Sequence, residues 1–291
     1  MIVHIGTAGW SYKDWEGIVY PRGTKRPLQY LSRFINTVEI NSSFYRPPAA
    51  DTAKRWLDFT ADRTDFTFTY KLWNRFSHER AGSSLNADEK IVKPGMDVLS
   101  AKEKLGATLI QFPWSFKKTD ENMAWVTKLL NRFADYHPFL EMRHASWDCA
   151  DFLELLSNRN AGFVNIDQPL IGQSIGLTTH RTTDRAYLRL HGRNYKNWFA
   201  DNADGAARYN YHYPTSELTD ILDTIVPMIE KSAKTFIIYN NHYRGQAVAN
   251  ALQTMFLLTE KKLPVPEKLP DLYPELKGIA APEQGGQMTI F

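Results

Sequence analysis

TVEINSSFY, residues 37–45, reads as an apolar strand that delivers Glu39 and Asn41 two positions apart, on one face, before a hydroxyl-rich loop. A carboxylate at the end of a buried strand must be compensated, because an unpaired buried charge is costly. The rest of the chain has to bring a partner to Glu39.

The same pattern recurs outward in both directions. Upstream, IVHIG (Ile2 to Gly6) is a short apolar strand, and PLQYLSRF (Pro27 to Phe34) a brief helix with Pro27 suited to its first turn. Downstream, the strands are FTFTYK (Phe66 to Lys71), ATLIQF (Ala107 to Phe112), PFLEMR (Pro138 to Arg143), GFVNID (Gly162 to Asp167), AYLRLH (Ala186 to His191) and TFIIYN (Thr235 to Asn240). Helical patterns lie between most of them, at Pro48 to Phe59, Asp88 to Leu105, Thr119 to Phe133, up to Arg159 with Ser146 as its N-cap, and Ser216 to Ile229. Only the linkers Gln168 to Asp184 and Gly192 to Pro214 lack a clear helix. Eight strand-like runs alternating with helices in 291 residues match the size of a closed α/β barrel of the TIM type, with parallel strands and one domain. GTAG (Gly6 to Gly9) is too short for the glycine loop of an open dinucleotide-binding sheet. The expected division is a barrel over residues 1–260 and an extended, flexible C-terminal tail over residues 261–291.

Composition narrows the function classes. A hydrophobic fraction of 43% supports a large core, and a net charge of +3 from 35 basic and 32 acidic residues announces no nucleic-acid binder. The single cysteine, Cys149, excludes an internal disulfide framework and fits a reducing compartment. With no apolar span of membrane length and no leader pattern at MIVHIGTAGW, a cytoplasmic protein without a membrane partner is expected.

In a parallel barrel the C-terminal strand ends form the active face. Glu39, Asn41, Lys71, Gln111, Glu141, Arg143, Asp167, Arg189, His191 and Asn240 all fall there, with Asn241 and His242 just beyond. Any one of them is as readily a structural ion pair as a functional group; their convergence argues for a ligand site. Lys71, Arg143 and Arg189, with Ser42, Ser43 and Tyr45, offer donors to an anion such as phosphate or carboxylate. Glu39 or Glu141 is the expected general base and His191 its proton-transfer partner, while Asn240, Asn241 and His242 orient substrate. No cofactor is predicted, although Glu141, Asp167 and His191, on consecutive strands, could hold a divalent metal. Trp10, Trp15, Tyr45, Trp73 and Trp147 near the mouth read as stacking platforms or as packing.

GTAGW (Gly6 to Trp10), YKDWEG (Tyr12 to Gly17), VEINSSFY (Val38 to Tyr45), His78 with Glu79, QFP (Gln111 to Pro113), EMRHASW (Glu141 to Trp147), RLHG (Arg189 to Gly192), NNH (Asn240 to His242) and GQA (Gly245 to Ala247) come in an ordered set. This set resembles the signature of the YecE-like family, domain-of-unknown-function family seventy-two, over nearly the whole chain. The resemblance implies a TIM barrel, a metal-poor site and no assigned activity. Ala8 stands where the family more usually has serine, and YNYHY (Tyr209 to Tyr213) matches its tyrosine-rich stretch only loosely.

Two functions follow. One is an enzyme acting on a small anionic or phosphate-containing substrate, extending to a nucleic-acid phosphodiester if Arg22, Lys25, Arg26, Arg75, Arg80, Lys117, Lys118, Arg193 and Lys196 form a basic rim. The other is a non-catalytic nucleic-acid or nucleotide-binding module. Its C-terminal QMTIF, through Gln287, Met288, Ile290 and Phe291, resembles the peptide that docks bacterial repair proteins on the DNA sliding clamp.

Overall fold

The computed structural model describes residues 1–80, 82–196 and 208–282. Eight strands, β1 (Ile2–Ala8), β2 (Thr37–Ile40), β3 (Thr67–Lys71), β4 (Leu105–Gln111), β5 (Pro138–Glu141), β6 (Gly162–Asp167), β7 (Arg185–Leu190) and β8 (Lys234–Tyr239), close into a barrel in sequence order. Every pairing is parallel. The strands are buried on both faces, as parallel strands under a helical coat must be. That explains why TVEI and FTFTYK carry bulky apolar residues outward and a polar set inward.

The coat comprises α1 (Pro27–Leu31), α2 (Ala50–Phe59), α3 (Leu85–Ser100), α4 (Asp120–Arg132), α5 (Ala150–Asn158), α6 (Thr215–Glu230), α7 (Gln246–Thr259) and α8 (Leu269–Leu272). Thr119 caps α4, its hydroxyl accepting from the Asn122 amide at 3.2 Å. Between β6 and β7 the chain runs without a helix, as its sequence implied. Gly6 is required where β1 meets β2: a Cβ there would lie 1.8 Å from the Thr37 carbonyl oxygen.

Three local expectations change. Ser146 does not cap α5; it lies in a 3-10 turn, Ala145–Trp147, where its hydroxyl accepts from the Lys118 amide at 2.9 Å and meets His144 Nδ1. The α5 N-cap is Cys149, with no side-chain cap. The polar segment after β3 with HER (His78 to Arg80) reads as a loop in sequence, but Arg75–Glu79 forms one π-helical turn closed by Arg80 N–H donating to Arg75 O. Residues 261–282 are not an extended tail: Leu263 bridges to Ala280, and Leu263, Leu269 and Leu276 are buried. These apolar side chains, six and seven residues apart, dock the proline-rich segment by burial. The QMTIF peptide lies outside the described residues. Among those described, no helix is long and apolar enough to cross a membrane.

Candidate functional site

Strand alternation points Glu39, Glu141 and Arg189 into the barrel near its C-terminal end, and all three are essentially inaccessible, at 0%, 0% and 1% exposure. Arg189 answers the charge problem posed by Glu39. Its Nη2 donates to Glu39 Oε1 at 2.8 Å, and its Nη1 to Glu141 Oε2. The other Glu39 oxygen accepts from the Tyr187 hydroxyl at 2.7 Å, which also lies 2.8 Å from the Thr69 hydroxyl. Arg143 pairs with Glu141 Oε1 at 2.7 Å and donates to Gln168 Oε1 at 2.6 Å.

The electrostatics follow from that wiring. Burial pushes the Glu141 carboxyl up, but Arg143 and Arg189 outweigh it and hold the group well below the usual carboxylate range. Burial, and then Arg143, push His191 down to about 3, so its imidazole is neutral at physiological pH. Its Nε2 lies 3.5 Å from Glu141 Oε1 and its Nδ1 3.0 Å from the Asn240 amide. Burial, and then Arg189, lower Lys71 to about 8, although Glu39 and Glu141 pull the other way.

Lys71 differs from its neighbours. Its ammonium sits 4.2 Å over the Phe44 ring, and among the described residues no hydrogen bond or ion pair holds it. Three cations, Lys71, Arg143 and Arg189, thus face two carboxylates, Glu39 and Glu141, leaving one positive charge in excess at the mouth.

Other expected residues fall elsewhere. Asp167 is turned to a second network, accepting from Arg193 at 2.7 Å and from the Tyr213 hydroxyl at 2.6 Å. It does not join Glu141 and His191, so those three form no metal site, and no cluster of metal-ligating type occurs among the described residues. Ser43 is structural, its hydroxyl lying against the carbonyls of Ile40 and Lys71 at 2.5 and 2.6 Å. Tyr45 is 74% exposed and outside the cluster. Asn241 donates through Nδ2 to Tyr211 O and Asn250 Oδ1, both at 2.8 Å. His242 forms a wall, stacked on Tyr12 at 4.3 Å. Asn41, half-buried, faces the Tyr12 hydroxyl, and Gln111 donates to Phe112 O at 3.2 Å. Trp15 and Trp147 are buried packing; Trp10 and Trp73 are half-buried.

Four members of the site escaped the sequence reading: Tyr187, Thr69, Gln168 and Phe44. Tyr187 and Thr69 each lie two residues before a recognised site residue on the same strand, and that spacing was the available signal. Gln168 and Phe44 lie just past strand ends, where no periodicity marks them.

The barrel and its strand-end arginine–carboxylate cluster define a TIM-type α/β protein with a charged, buried site beneath its C-terminal mouth. The chain belongs to the family described as "Protein of unknown function DUF72", whose profile matches residues 4–273. It is similar to the UPF0759 protein YunF of Bacillus subtilis, 28% identical over 274 residues that cover 88% of this chain and 95% of YunF. A crystal structure of a DUF72 family protein from Thermotoga maritima is 34% identical, with a TM-score of 0.79 over 89% of this chain and 99% of that one. One from Enterococcus faecalis, 24% identical, has the same fold, with a TM-score of 0.78 over 88% of this chain and 95% of that one.

Proposed function

We propose that the barrel mouth binds a small molecule bearing a phosphate or carboxylate group, and that the protein is an enzyme acting on that molecule. The observation that carries this reading is the excess positive charge at Lys71, beside a half-buried Arg143. An incoming anion supplies the missing partner, and a guanidinium suits bidentate oxygen contacts. Glu39 and Glu141 act as the frame, since both are held by arginines and neither is free to serve as a base. His191 positions Arg143 and Glu141 as a neutral group.

A small ligand is favoured over a phosphodiester chain because part of the expected basic rim is spent within the protein. Arg75 pairs with Asp88 at 2.9 Å, Lys118 with Asp151 at 2.5 Å and Arg193 with Asp167 at 2.7 Å, so these cations are already neutralised. The test is calorimetric titration of inorganic phosphate into the full chain and into Lys71→Met and Arg143→Met. Wild-type binding that weakens at least about tenfold in each variant, the loss of one charge-assisted contact, is the expected result. Equal affinity in all three proteins would exclude the mouth as the anion site.

A further inference from the structure

Lys71 is the last residue of a strand, so its backbone is fixed by the barrel while its side chain rises along the Phe44 ring into the mouth. It is 9% exposed, enough for a small reagent to reach and little enough to strip its hydration. The groups that face it are Arg189, Glu39, Glu141, Arg143 and His78. Both carboxylates are bonded to arginines, and among the described residues no acceptor bonds the amine.

We propose that Lys71 is a covalent nucleophile that forms an imine with the carbonyl carbon of an anionic aldehyde or ketone. The inference rests on the anion-binding reading, with Arg143 holding the anionic end of the substrate while the amine meets its carbonyl. In the step itself the lone pair of the neutral Nζ attacks the carbonyl carbon and a C–N bond forms. The carbonyl oxygen takes up one proton from the amine nitrogen and one from solvent and leaves as water, and the nitrogen keeps its second hydrogen in a protonated imine. Lysines desolvated against an apolar wall, or set beside another cation, are the ones that serve in this chemistry. At neutral pH, a group lowered from 10.5 to about 8 carries on the order of a hundredfold more free amine than an ordinary lysine.

The experiment uses the full-length protein and two probes: pyridoxal 5′-phosphate as an anionic aldehyde, and propionaldehyde as a neutral one. Each is added at limiting ratio, the imine is reduced with cyanoborohydride, whose hydride goes to the imine carbon, and the labelled lysine is found by peptide mass spectrometry. Lys71 is expected to carry most of the label from both probes, faster as pH rises through about 8. Excess inorganic phosphate is expected to slow the anionic probe selectively. Labelling of Lys71 by propionaldehyde with no advantage for the phosphorylated probe would uphold the nucleophile and sink the anion reading. Phosphate binding to the protein while both probes label only exposed lysines would overturn the nucleophile and leave the anion reading standing. Lys71→Arg, which keeps the charge but cannot form an imine, should bind phosphate and lose the label.

Discussion

Two charged networks lie side by side at the C-terminal end of the barrel, and they are built to different balances. In the first, Asp167 accepts from Arg193 and Tyr213, and Arg193 reaches on to Glu217 at 3.5 Å. The Tyr213 hydroxyl in turn accepts from the Gly192 amide at 2.8 Å. Every charge there has its partner within the protein, which is how a structural clasp looks. In the second, Glu39 and Glu141 are satisfied by Arg189 and Arg143, yet Lys71 is left over. Burying a cation without a partner is costly, and a fold keeps such a group where something outside the protein completes it.

Removing the centre of the second network is the harshest way to break this contrast. Arg189→Met leaves two buried carboxylates without their shared partner, and the expected loss is about 3–5 kcal/mol, read by chemical denaturation. Asp167→Asn in the balanced network should cost less, about 1–3 kcal/mol for weakened charge-assisted hydrogen bonds, and should leave phosphate affinity unchanged. A change in phosphate affinity there would merge the two networks into one site.

Lys71→Met gives an effect of the opposite sign. The variant removes an uncompensated buried charge, so stability at pH 7 should rise by about 1–3 kcal/mol. The folded-state value of about 8 lies below the ordinary 10.5, so the unfolded chain binds more protons between them and wild-type stability gains with pH there. The difference between variant and wild type should therefore be full below pH 8 and shrink towards pH 10.5. Denaturation curves at several pH values check it; a variant less stable than wild type at pH 7 would mean that Lys71 has a partner in the folded protein.

Much of the fold was legible because its signals are local. TVEI, TFTYK and GFVNID each alternate or run apolar over the length of a strand, and a succession of eight such runs points to the barrel. The strand-end residues were legible for the same reason, since alternation places Glu39, Arg189 and Glu141 on inward faces. Their partners were less so. Arg189, on a strand far along the chain, bridges Glu39 and Glu141, and no local pattern in the sequence pairs it with either. Asp167 and Glu141 sit at equivalent strand ends, yet Asp167 is claimed by Arg193 and Tyr213 from loops whose paths carry no periodic signal. Ser43 reads as a free hydroxyl in sequence and proves to be spent on backbone carbonyls at the turn out of β2.

The central claim is that the second network is completed by an anion from solution. A crystal structure of the full chain grown with phosphate tests it most directly. Tetrahedral density is expected in the mouth, with oxygens at about 2.7–3.2 Å from Lys71 Nζ and from an Arg143 nitrogen. Phosphate bound elsewhere on the protein at full occupancy, with Lys71 still over Phe44 and the mouth holding only water, would contradict it.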